Sequence, residues 1–143
     1  MSSVREQVLT AAMSALNTAT PPGVPSVTRT RMEAYTADEL PAASIKCVRE
    51  EIEYEKGGKW GPFRRRVLTL RLTIFALGDE SAVDPIVVWA SSILDGQFSP
   101  LIEDSIEALY EFEYALEDER YVGLNLDFRV HYHTSVGDQT RAQ

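Results

Sequence analysis

The chain has 143 residues, and its 14 Lys and Arg against 22 Asp and Glu give a formal net charge of -8. That length suits one domain spanning residues 1–143, and a composition of 44% apolar and 25% charged residues excludes a disordered or fibrous protein. The acidic balance excludes generic nucleic-acid binding, which depends on Lys and Arg displacing counterions from phosphates.

The N-terminus reaches Arg5 and Glu6 before any continuous apolar segment, so no secretory signal is read there and the cytoplasm is the expected site of synthesis. From residue 3 to residue 17, Val4, Val8, Ala11, Ala12, Ala15 and Leu16 recur at helical spacing, which predicts an amphipathic helix begun by Ser2 or Ser3. Residues 18–25 carry three prolines and a glycine and read as loop. Residues 27–32 alternate and read as a short exposed strand, and a longer extended segment runs from Ala43 to about Tyr54. Cys47 lies in it as the only cysteine, which excludes an internal disulfide or a multi-cysteine zinc site and suits a half-buried thiol. The later half, with Arg49, Glu50, Glu51, Glu53 and Glu55, is so charged that one face must be wet.

Residues 56–62 are glycine-rich and read as the mobile tip of a long hairpin. Beyond it, Leu68, Leu70, Leu72 and Ile74 alternate with Val67, Thr69, Arg71 and Thr73, the signature of a half-buried strand in an antiparallel sheet. A second helix is predicted from about Val83 to Asp95, opened by Asp84 and Pro85, closed by Gly96, and packing Ile86, Trp89, Ala90 and Ile93 on the sheet. Its run at residues 86–90, the longest apolar stretch, is far too short to cross a bilayer, so no membrane partner is expected. Residues 106–115 read as a strand with Leu109, Glu111 and Glu113 on one face and Tyr110, Phe112 and Tyr114 on the other, followed by an acidic turn. The last strand turns Val122, Leu124, Leu126, Phe128, Val130 and Tyr132 inward and Asn125, Asp127, Arg129, His131 and His133 outward, and the tail from residue 135 to residue 143 is expected to fray. This order predicts an α+β fold, an antiparallel sheet with two main helices packed on one face.

His131 and His133 project from the same strand face, where two imidazoles are able to share a metal, but a zinc or iron site needs a third ligand and Arg129 beside them opposes a cation. The carboxylate groups Glu50, Glu51, Glu53, Glu111 and Glu113 stand without a phosphate-binding loop, a nucleophile elbow or a zinc-binding helix motif, so no catalytic residue, cofactor or metal is assigned. More distinctive is the clustering of Lys56, Lys59, Arg64, Arg65 and Arg66 around the hairpin tip, with Trp60 as an aromatic anchor. This basic arm is charge-complementary to the acidic Glu111, Glu113, Glu117, Asp118 and Glu119 region, and the two are the candidate self-association surfaces.

The ordered set of segments resembles the tail terminator proteins of long-tailed bacteriophages, the lambda-type minor tail protein U family. The resemblance spans residues 4–134: an N-terminal helix, the Glu39, Leu40, Pro41, Ala42 and Ala43 entry to the first long strand, a polar hairpin tip, the residue 68–72 strand, a helix with Trp89, and an alternating last strand ending in tyrosine. It implies a non-enzymatic virion protein that forms a homo-hexameric ring at the head-proximal end of the tail. There it stops polymerisation of the major tail tube protein and offers a joining surface to a head-completion or connector protein. In that family the hairpin tip orders in the ring, and residues 56–66 occupy its place here. The chain departs from the family in its longer residue 18–25 loop, its basic arm and its polar tail. Two alternatives are a head-completion or neck adaptor, and a small metal-dependent hydrolase using His131 and His133.

Overall fold

The computed structural model describes residues 2–19, 23, 26–29, 39–54, 63–116, 120–135 and 138–142. Helix α1 (Val4–Thr18) starts where Ser3 turns its side chain back to accept the Glu6 N–H, at 3.2 Å, and it buries Val4, Val8, Leu9, Ala12 and Leu16. Near its end the Asn17 side chain bonds both backbone groups of Val27, donating to the carbonyl at 2.9 Å and accepting from the N–H at 2.7 Å. Asn17 thereby stands in for a neighbouring strand along β1 (Val27–Arg29). The long strands β2 (Ala42–Tyr54) and β3 (Phe63–Leu77) follow. Asp79 caps a short 3-10 turn, and α2 (Asp84–Leu94) follows, with Pro85 in its first turn and Gly96 beyond its end at φ 112°. Strands β4 (Asp104–Leu116), β5 (Arg120–Ser135) and β6 (Asp138–Ala142) complete the chain.

Five strands lie side by side in the order β1-β2-β3-β5-β4, and β6 pairs with the end of β5. This corrects the expected architecture in two respects. The sheet is mixed, because β1 runs parallel to β2 with Val27 beside Ala43 and Arg29 beside Ile45. The expectation joined strands by hairpins, yet about a dozen residues separate β1 from β2, the length that a parallel crossover requires. Strand also far outweighs helix, so the protein is mainly a sheet to which two short helices contribute, rather than two main helices on a sheet. The tail expected to fray from residue 135 includes strand β6, antiparallel to β5.

The core lies on one side of the sheet, where Ile45, Leu68, Leu70, Leu72, Ile74, Leu124, Leu126, Phe128, Val130 and Tyr132 are sealed beneath the apolar stripes of α1 and α2. Each such Leu or Phe contributes roughly 1.5–3 kcal/mol by leaving water. Register aligns them in rows, Ile45 beside Leu72 and Leu72 beside Leu126. The opposite face carries Thr69, Arg71 and Thr73 of β3 with Asn125, Asp127, Arg129 and His131 of β5, as the alternation predicts.

Candidate assembly surface

Of the basic residues predicted to form a mobile arm, Lys56, Lys59 and Trp60 lie outside the described residues, as do Glu117, Asp118 and Glu119 of the acidic turn. The structure sets Arg64, Arg65 and Arg66 inside β3, hydrogen-bonded into the sheet between β2 and β5. They are not arm residues, because the extended alternation continues through them, and successive arginines therefore face opposite sides.

Arg66 points to the helix side and is buried. Its Nε donates to Thr134 Oγ1 at 2.8 Å and one terminal nitrogen donates to Glu50 Oε2 at 3.2 Å. Arg5 from α1 donates to the same Glu50 oxygen at 2.9 Å, and the Tyr132 hydroxyl donates to the other oxygen. Glu50 thus ties α1, β2, β3 and β5 together from a side chain only 11% exposed. Burial, reinforced by the adjacent carboxylate, holds the Tyr132 phenol far above its ordinary pKa. Arg66 is therefore a fastening inside the subunit and is not offered to a partner. A one-residue bulge in β2 between Cys47 and Arg49 sets this arrangement, because the extra residue shifts the later half of the strand so that Glu50 faces inward, opposite Leu68.

Arg65 faces the other way, half-buried, 3.6 Å from Glu53 and 3.8 Å from Glu103. On that open face Arg71 grips Asp127 with two parallel bonds, at 2.8 and 3.1 Å, and the bond to Asp127 raises the Arg71 pKa. His131 Nδ1 lies 2.6 Å from Asp104 Oδ1, and His133 Nδ1 pairs with Glu103. Each imidazole is thus engaged by its own carboxylate, and among the described residues no three of His, Cys, Asp and Glu gather to hold a metal ion. The face is concave, with a hollow of about 680 Å³ lined by Arg49, Arg71, Arg129, His131, Ile106 and Leu109.

Glu111 and Glu113 are exposed on the same face of β4, opposite Asn125 and Gly123. Asn125 pairs with Thr73, whereas Arg65 lies eight residues back along β3, so Glu111 and Arg65 stand roughly 26 Å apart along the strand direction within one subunit. Among the described residues Glu111 and Glu113 are not brought to Arg65.

The sheet has two long borders that no described strand covers over most of their length, which sequence reasoning missed. Among the described residues β4 pairs with no strand but β5; on its far side the Gly96 N–H donates to the Ser105 carbonyl at 2.7 Å and the Asp95 side chain accepts from the Glu107 N–H at 3.3 Å, and no described strand lies against residues 109–116. On the opposite border β1 covers only Ala43 to Ile45 of β2, and no described strand lies against the remainder. Exposed apolar side chains concentrate on these two borders. Ile106, Leu109, Tyr110 and Phe112 on β4, with Val48 and Ile52 on β2, are each more than two-fifths exposed. The outward half of the β4 signal was available in its alternation, but which strand ends the sheet is a property of topology. Long apolar edges of this kind invite strand pairing unless a partner covers them. Compared with known proteins, the chain matches no family model and no curated protein sequence.

Proposed function

We propose that this protein is a phage tail terminator: a structural, non-enzymatic subunit that assembles into a homo-hexameric ring on the head-proximal end of the tail tube. The ring stops addition of tube protein and presents the surface that a head-completion or connector protein joins. The observation that carries the reading is a pair of different borders on opposite sides of one sheet, each of which no described strand covers over most of its length. A subunit with two unlike sticky borders associates head to tail, and such contacts close into rings when the rotation permits. The resemblance of the segment order to tail terminators, from the N-terminal helix to the alternating strand that reaches Tyr132, is what favours a tail ring over another assembly.

Electron microscopy of particles made without this protein tests the proposal. Overlong tail tubes without heads are the expected result. Normal tails carrying heads contradict it, and tails of normal length left unjoined to heads replace it with a neck-adaptor role.

A further inference from the structure

We propose that neighbouring copies join edge to edge, the outer border of β2 in one copy pairing antiparallel with the outer border of β4 in the next, so that the sheet continues from subunit to subunit. This rests on the self-assembly part of the tail terminator reading and names the surfaces that achieve it.

Direction comes first. β2 is antiparallel to β3, β3 to β5, and β5 to β4, so β2 and β4 run in opposite senses. Copies laid side by side in one orientation therefore bring the two free borders together as an antiparallel pair. Residues 95 and 96 already satisfy the outer backbone groups of Ser105 and Glu107, so the stretch of β4 from Leu109 onward is the part that bonds the β2 border of the next copy, and Val48 and Ile52 leave water together with the apolar residues of β4.

Charge then selects the register. Lys46 and Arg49 lie on the open face of β2, on either side of the bulge, and are exposed. Glu111 and Glu113 lie on the open face of β4 and are exposed. Setting Lys46 opposite Glu113 places Cys47 opposite Phe112 on the helix side. The bulge residue Val48 adds one position to β2, so Arg49 falls opposite Glu111 and Glu51 opposite Leu109. Two cations meet two carboxylates, and no like charges are opposed over this stretch. Sliding the pair two residues in one direction sets Glu51 against Glu111, and sliding it the other way leaves Glu113 without its cation. The same contact answers the placement of Glu111 and Glu113 far from Arg65, because their complement is the β2 border of another copy.

The test is native mass spectrometry of the purified full-length chain, with circular dichroism to establish folding. The wild-type protein is expected to form a ring. The variant Lys46→Glu/Arg49→Glu, altered only at exposed positions, is expected to fold normally and to associate roughly tenfold more weakly or worse. Adding Glu111→Lys/Glu113→Lys to that chain is expected to restore the ring, with amides within residues 109–113 gaining protection from hydrogen exchange on assembly. Rings that form equally well in the first variant, or that fail to return in the combined one while it remains folded, overturn the edge pairing and leave the ring reading standing. A wild-type chain that stays monomeric at all concentrations also overturns the pairing, and tail length in particles lacking the protein then decides the tail terminator reading separately.

Discussion

Replacing Glu50 by alanine probes how the subunit itself is held together. The carboxylate accepts from Arg5, Arg66 and Tyr132, and Arg66 is buried with a side chain only 6% exposed. In Glu50→Ala the Arg66 guanidinium keeps Thr134 but loses its counter-charge. Removing one partner of a buried ion pair destabilises by about 3–5 kcal/mol. With an unfolding entropy near 2.1 cal/mol/K per residue, a chain of 143 residues gains or loses roughly 0.3 kcal/mol per degree, so the melting temperature falls by about 10–17 °C. Glu53→Ala on the same strand is the control. Glu53 is half exposed and lies 3.6 Å from Arg65, so its loss is expected to stay within about 1 kcal/mol. Calorimetry or urea unfolding measures both variants. The double variant Glu50→Ala/Arg66→Met is expected to be milder than the sum of its singles by about 0.5–3 kcal/mol. Equal effects at positions 50 and 53, or simple additivity at 50 and 66, refute the buried fastening.

Two further predictions concern the same scaffold. Because burial and the Glu50 carboxylate hold the Tyr132 phenol above its unfolded pKa of about 10, the folded state retains a proton that the unfolded state loses. The contribution is complete below about pH 10 and declines above it, by at most about 1.4 kcal/mol per pH unit, so urea unfolding from pH 9 to pH 11 is expected to fall less steeply in Tyr132→Phe than in wild type. Asn17→Ala removes both side-chain bonds to Val27 and is expected to destabilise by roughly 1–3 kcal/mol and to speed hydrogen exchange at the Val27 amide; unchanged exchange there contradicts the edge-capping role.

Much of the sheet was legible because β3 and β5 each bury one face: alternation at Leu68 to Ile74 and at Val122 to Tyr132 permits only one inward set. Helix α1 was legible through its apolar spacing and the Ser3 cap. Three features were hidden for physical reasons. The bulge at Val48 changes which side of β2 faces the core, so Glu50 looks like its exposed neighbours Glu51 and Glu53 until the register is known. The arginine triplet reads as one basic patch, yet alternation within β3 sends Arg66 into the interior and Arg65 to the open face. The parallel pairing of β1 depends on a crossover rather than on any local pattern. The expected complement of basic arm and acidic strand likewise rested on composition, whereas the uncovered edges emerge only from strand order.

The central claim is tested most directly by mixing the purified protein with growing tail tubes and imaging them by negative-stain electron microscopy. The account predicts a single ring seated at one end of each tube and no further elongation. Tubes that keep growing with both ends bare contradict it.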